Sequence, residues 1–118
     1  MARALLRRVS EAVVPTGPPG PRRTPLLFAL DYDGTYSEDP ELWQAFIALA
    51  RQRGHRVMCV TMRYEHENAQ VEWQLGGKVD RIVYTGRRAK ARHMKHLGLA
   101  PDVWIDDEPH WVLADAAA

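Results

Sequence analysis

The most constraining feature of this chain is a run of apolar residues that ends in two aspartates. Residues 25–31 read PLLFALD, and Asp33 and Gly34 follow after a single tyrosine. A continuous apolar run of this length is typical of a strand that is covered on both faces. A buried carboxylate is unfavourable unless it is paired, hydrogen-bonded or bound to a metal, and a second carboxylate nearby adds repulsion. The stretch therefore predicts a buried strand that leads into a site with a positive partner.

Apolar runs of strand length alternate with longer helical patterns from residue 25 onward. Strands are predicted over PLLFALD, HRVMCVTM, VDRIVYTG and PDVWIDDEP, and helices over PELWQAFIALARQRG, RYEHENAQVEWQLGG and RRAKARHMKHLG. The final HWVLADAAA is predicted to add a turn of helix or a short edge strand. This alternation is typical of parallel βαβ units with right-handed crossovers. We expect an α/β fold, a Rossmann-like three-layer α/β/α sandwich with a mainly parallel sheet of four strands, or of five if the chain end adds one.

The start of the chain differs in composition from the rest. Residues 1–25 carry five arginines and one acid, whereas residues 26–118 carry eleven basic and fourteen acidic groups. The segment PTGPPGPRR cannot form a helix or a central strand. We therefore expect a poorly ordered Arg- and Pro-rich arm over residues 1–24, for which a targeting role stays open, and a globular domain over residues 25–118.

Charge and composition exclude several classes of protein. The net charge of +1 gives no overall basic footprint for nucleic acid. The single cysteine, Cys59, lies in an apolar run and cannot form an internal disulfide, so we expect a small buried side chain there. No apolar run approaches the ~20 residues that cross a bilayer, and the opening MARALLRRVSEAVV lacks the long apolar centre of a secretory signal. We expect a cytoplasmic protein without a membrane partner.

Polar residues follow every predicted strand, and the carboxyl ends of parallel strands share one edge of the sheet. The residues expected to meet there are Asp31, Asp33, Thr61, Lys90, Asp106 and Asp107. A divalent ion with oxygen ligands would relieve the repulsion among the acids, and Mg²⁺ usually binds one or two carboxylates together with a phosphate oxygen. A hydroxyl and an ammonium suit phosphoryl oxygens, and Lys90 is favoured over Lys95 because it lies in the first turn of its helix.

The order of these residues resembles the haloacid dehalogenase (HAD) superfamily of phosphotransferases. LDYDGT is similar to the first motif of that superfamily, CVTMR to the second, the region of Lys90 to the third and VWIDDEP to the fourth. The resemblance covers residues 26–113. It implies a HAD-like phosphatase, a phosphoric monoester hydrolase that uses Mg²⁺ and an aspartyl-phosphate intermediate.

The resemblance also implies catalytic roles for individual residues. Asp31 would be the nucleophile, and a carboxylate suits that role because it needs no deprotonation at neutral pH. Asp33 would protonate the leaving oxygen and then activate water. Thr61 and Lys90 would hold the phosphoryl group, and Gly34 would permit the turn that brings the backbone around the phosphate.

The metal ligands implied by the resemblance are Asp31, the backbone carbonyl of Asp33, and Asp106. Asp107 would bind the metal directly or through water. Arg63 is a further candidate for contact with the substrate, although charged residues in loops are usually just solvated.

The chain departs from many HAD enzymes because it has no room for a cap domain. A helix and a strand use most of the 27 residues between Asp33 and Thr61, and another pair fills the segment from Thr61 to Lys90. An open site could admit a small phosphorylated molecule, a nucleotide or a nucleic-acid end carrying a 3′-phosphate, and a second copy of the chain could cover it. A non-catalytic binding or regulatory module stays open as an alternative.

Overall fold

A computed structural model describes residues 24–117, so the predicted arm lies outside the described residues except for its last member. These residues form four strands and four α-helices in alternation: β1 (Leu27–Leu30), α1 (Pro40–Gln52), β2 (Arg56–Thr61), α2 (Ala69–Leu75), β3 (Arg81–Tyr84), α3 (Lys90–His96), β4 (Val103–Ile105) and α4 (His110–Leu113). Single turns of 3₁₀ helix precede α1 and α2. The predicted α/β fold is confirmed, and no cap domain interrupts the described part of the chain.

The sheet is entirely parallel, with strand order β3-β2-β1-β4. The chain moves from β1 through β2 to β3 in one direction and then returns to the other side of β1 to form β4. The direction of winding therefore reverses between β1 and β4, and such a switch point is where α/β sheets open a crevice for ligands. No fifth strand forms within residues 24–117, because the end of the chain forms α4 instead.

Alternate residues of each strand enter two separate apolar cores, one on each face of the sheet. Leu30 and Cys59 belong to the core beneath α1 and α2, whereas Ala29 and Val60 belong to the core that Met94 of α3 completes. Side chains alternate across a strand with a period of two, and both faces here are covered by helices. The predicted three layers are thus observed, and Cys59 is fully buried as predicted.

Two predicted helices are shorter than the sequence pattern indicated. The helix expected over residues 63–77 begins at Ala69, because Tyr64 and Glu67 form a separate turn: the Tyr64 N–H donates to Glu67 Oε1 at 2.7 Å, and the Glu67 N–H donates to the Tyr64 carbonyl at 2.8 Å. The helix expected from Arg87 begins at Lys90. Arg87 has a left-handed backbone with φ of 72°, which a right-handed helix cannot include.

The outer surface of α2 carries a large aromatic residue. Trp73 is 83% exposed. Val71 and Leu75 are buried and lie four residues apart on one face of the helix. Trp73 lies midway between them, about 200° around the helix axis from either, so its side chain faces outward.

Among the described residues, no helix has the length and apolar character needed to span a bilayer.

Candidate active site

The ends of β1 and β4 bring three aspartates together at the switch point. Leu30 is paired with Ile105, and the Asp31 N–H continues the ladder by donating to the Ile105 carbonyl at 2.9 Å. Asp31 and Asp106 are therefore the first residues beyond two neighbouring strands. One carboxylate oxygen from each of Asp31, Asp106 and Asp107 lies within 4.8 Å of the others. Asp31 of the first acidic pair therefore meets both acids of the last pair.

Lys90 is the cation inside this cluster. It is the first residue of α3 and is 2% exposed. Its Nζ donates to Asp31 Oδ1 at 2.8 Å and to Asp106 Oδ2 at 2.6 Å. Lys95, one and a half turns further along α3, lies on the exposed surface. Lys90, and not Lys95, thus contacts the acids, and its role in holding a phosphoryl group stays a prediction.

The Thr35 hydroxyl connects the two acidic segments. Its Oγ1 lies 3.2 Å from Asp31 Oδ2 and 3.2 Å from Asp107 Oδ1, and it also accepts the Asp107 N–H at 3.1 Å. A hydroxyl has one proton to donate, so it can satisfy one of these two carboxylates at a time. The Thr35 hydroxyl thus ties the turn after β1 to the segment after β4.

Gly34 is required here for two reasons. Its φ is +85°, a conformation that residues with a side chain rarely adopt. A Cβ at this position would also lie 2.5 Å from Asp107 Oδ2 and 2.8 Å from Asp107 Cγ. Glycine therefore permits both the turn after Asp33 and the close approach of the Asp107 carboxylate.

The electrostatics of the cluster favour an additional positive charge. Three carboxylates cluster here, and the one ammonium contacts two of them. Burial raises the pKa of Asp31 to about 7 against the opposing attraction of Lys90, and repulsion from Asp106 adds to the rise. Carboxylate oxygens are hard donors that suit Mg²⁺ or Ca²⁺. The residues present thus fit a divalent cation, which would replace lost hydration around Asp31 and balance the excess negative charge.

Asp33 lies apart from this cluster and binds an arginine. Its carboxylate is 57% exposed and accepts hydrogen bonds from Arg63 Nε at 2.9 Å and Arg63 Nη2 at 2.8 Å. Arg63 also donates to the Glu67 carbonyl at 3.0 Å, and its guanidinium lies 5.1 Å from the centre of the Tyr32 ring. This bidentate ion pair fixes the orientation of the Asp33 carboxylate. Contact between Arg63 and a phosphate stays a prediction, as does the metal-ligand role of the Asp33 carbonyl.

Thr61 completes the floor of the site at the end of β2. It is 1% exposed, and its Oγ1 accepts the Arg63 N–H at 3.2 Å. Its position one strand away from Asp31 follows from the parallel pairing of β1 with β2. The hydroxyl proton is available for a ligand oxygen, since Oγ1 acts as an acceptor in this contact.

One cleft of about 700 Å³ joins these groups apart from Thr35. It is lined by every residue that the sequence predicted for the site: Asp31, Asp33, Gly34, Thr61, Arg63, Lys90, Asp106 and Asp107. Arg87, Glu108 and Trp111 also line it. The cleft therefore combines an acidic floor around one buried lysine with a rim that includes two guanidinium groups.

Arg87 has a larger structural role at this rim than the sequence indicated. Its Nη1 donates to the Met62 carbonyl at 2.6 Å, and its guanidinium lies 4.9 Å from the centre of the Tyr64 ring. The left-handed backbone of a non-glycine residue beside a cleft is a feature found at functional sites. The sequence pattern placed Arg87 at the start of a helix, because arginine carries no signal for a left-handed backbone.

Comparisons with protein-family models, with curated proteins and with solved structures gave no match to this chain.

Proposed function

We propose that the protein is a Mg²⁺-dependent phosphomonoester hydrolase of the HAD-like type, which acts through an aspartyl-phosphate formed on Asp31. The observation that carries the proposal is the contact of one buried lysine with both Asp31 and Asp106 at the switch point of a parallel sheet. The order of the four sequence motifs supports the same assignment. The substrate is a phosphorylated small molecule or a nucleic-acid end.

The first step would transfer the phosphoryl group to the protein. A carboxylate oxygen of Asp31 attacks phosphorus, the bond from phosphorus to the ester oxygen breaks, and the leaving oxygen takes a proton from Asp33. Lys90 and the Thr61 hydroxyl hold phosphoryl oxygens and stabilise the charge that develops on them. Asp31, Asp106 and Asp107, with the Asp33 carbonyl, would hold Mg²⁺, which supplies charge neutralisation when bound.

The second step would release inorganic phosphate. The Asp33 carboxylate takes a proton from water, the resulting oxygen attacks phosphorus, and the bond between Asp31 and phosphorus breaks. Asp33 can take part in both steps when one of its two oxygens gives up its hydrogen bond with Arg63 and contacts the leaving group or water instead. Its exposure on the rim of the cleft allows this exchange without disturbing the core.

The mechanism is tested with an aryl phosphate in the presence of Mg²⁺. Asp31→Asn should abolish turnover, because an amide cannot form the phosphorylated intermediate. Asp102→Asn is the matched control: Asp102 accepts the Leu27 N–H at 2.8 Å at the opposite end of β1, and an asparagine oxygen can keep that bond. Full activity in Asp31→Asn would exclude Asp31 as the nucleophile.

A binding or regulatory module is the second candidate, and the pairing of Asp33 with Arg63 favours it. Both oxygens of the proposed general acid are engaged by one guanidinium. A panel of nucleotides, sugar phosphates, phosphopeptides and 3′-phosphorylated oligonucleotides separates the candidates. Turnover of any member supports the hydrolase, whereas Mg²⁺ binding without turnover supports the module.

A further inference from the structure

The segment that follows α4 contacts the residues that lead into the start of α3. Asp115 Oδ1 accepts the Ala89 N–H at 2.7 Å, and the Ala116 N–H donates to the Arg87 carbonyl at 2.8 Å. These two hydrogen bonds, which we name the tail clamp, join Asp115 and Ala116 to residues 87–89. Lys90 follows immediately.

The start of α3 lacks a cap of its own. Ala89 occupies the N-cap position and has no side chain that can accept a hydrogen bond. In a capping box, an acidic residue at the third helical position accepts the N–H of the N-cap residue. That position here is Arg92, which has no acceptor. Asp115 supplies the acceptor from a distant part of the chain, and its other oxygen lies 3.9 Å from Arg92 Nη1.

The position of residues 87–89, which the tail clamp holds, determines the position of Lys90. Arg87 within it has the left-handed backbone described above, a conformation that its surroundings must maintain. The Thr85 hydroxyl also holds the segment, by donating to the Arg88 carbonyl at 2.9 Å. The tail clamp adds two further hydrogen bonds to the same segment. A displacement of this segment would move the Lys90 ammonium away from its two carboxylates.

We propose that Asp115 is a positioning residue, which together with the Ala116 N–H holds the start of α3 so that Lys90 reaches Asp31 and Asp106. The structural part of this proposal, that Asp115 and Ala116 position Lys90, depends only on these contacts and not on the proposed function. The catalytic consequence rests on the proposed function, in which Lys90 holds the phosphoryl group.

Lysine acetylation tests the placement without any assay of activity. The chain has three lysines, and Lys78 and Lys95 are exposed whereas Lys90 is buried. Brief treatment with an N-hydroxysuccinimide acetate, followed by peptide mass spectrometry, should label the two exposed lysines and spare Lys90. In Asp115→Ala, the rate at Lys90 should rise about three- to tenfold relative to the other two, the range expected for the loss of one hydrogen bond.

The matched control is Asp80→Ala. Asp80 also accepts a backbone N–H, that of Val57, at 2.7 Å, and its other oxygen pairs with Arg51 at 3.3 Å. This variant loses the same kind of contact at the amino ends of β2 and β3, so it should lower stability and leave Lys90 protected. Asp115→Asn, which keeps a side-chain oxygen, should restore protection. Ala116→Pro removes the second bond of the tail clamp and provides an independent variant if Asp115→Ala does not fold.

Steady-state kinetics with an aryl phosphate test the consequence. Asp115→Ala should lower kcat about three- to tenfold with a smaller change in KM, because the lysine acts on charge that develops in the transition state. Unchanged acetylation of Lys90 in both Asp115→Ala and Ala116→Pro would overturn the proposal, and unchanged kcat in an active protein would overturn its catalytic consequence. Faster acetylation in a chain whose wild type shows no turnover would support the positioning role and count against the phosphatase.

Discussion

Replacing Gly34 with alanine would separate the backbone requirement at this position from its effect on a neighbouring carboxylate. The new Cβ would lie 2.5 Å from Asp107 Oδ2, so the carboxylate must move. Asp107 can rotate, but it then loses its contact with the Thr35 hydroxyl. We expect a modest loss of stability and a larger loss of affinity for a divalent cation.

The magnitude follows from two contributions to the free energy of unfolding. A left-handed backbone at a residue with a side chain costs about 1–2 kcal/mol. The lost contact between Thr35 and Asp107 adds about 1 kcal/mol. Gly77→Ala is the control, since Gly77 has φ of +80° and a Cβ there would meet no atom within 4 Å, so this variant carries the backbone contribution alone. Gly34→Ala should therefore be about 1 kcal/mol less stable than Gly77→Ala.

The assay combines urea unfolding in a chelator with calorimetric titration of Mg²⁺. Affinity should fall by at least about tenfold in Gly34→Ala and stay at the wild-type value in Gly77→Ala, because perturbed support of metal ligands typically weakens binding by this amount. Equal Mg²⁺ affinity in the two variants would show that the position of Asp107 does not matter for the ion. That result would refute the argument from the Cβ contact.

Three further predictions concern the floor of the site. Lys90→Met leaves Asp31 and Asp106 without their cation, so urea unfolding should show a loss of about 3–5 kcal/mol, and saturating Mg²⁺ should recover part of it. Because burial raises the pKa of Asp31 to about 7, the folded chain retains a proton that the unfolded chain has released. In a chelator, the free energy of unfolding should therefore fall as the pH rises from about 4 to about 7, and an equally steep fall in Asp31→Asn would assign it to another group. Thr61→Val should lower turnover of an aryl phosphate and remove the acceptor of the Arg63 N–H, which costs about 1–3 kcal/mol; Thr61→Ser, which keeps the hydroxyl, should retain most of both.

The sheet and the convergence of its acids were predictable because they depend on local pattern and on topology. Continuous apolar runs end at Asp31 and near Asp106, and parallel strands place their carboxyl ends on one edge. The position of Lys90 in the first turn of a helix then brings it to the same edge. None of these steps requires knowledge of a particular side-chain contact.

The parts that sequence reasoning missed depend on contacts between distant residues. Asp115 caps a helix that begins 25 residues before it, and nothing in the local sequence pairs the two. Arg87 adopts a left-handed backbone through its bonds with Met62 and Ala116.

The pairing of the first strand with the last has a consequence for the kinetics of folding. Leu30 and Ile105 are neighbours in the sheet but far apart in the chain, whereas the pairing of β1 with β2 closes a much shorter loop. The entropy of loop closure grows with chain separation, so we expect the edge formed by β4 to assemble late. Contacts made after the transition state influence the rate of unfolding. An ion held between the ends of β1 and β4 should therefore slow unfolding while leaving the folding rate almost unchanged.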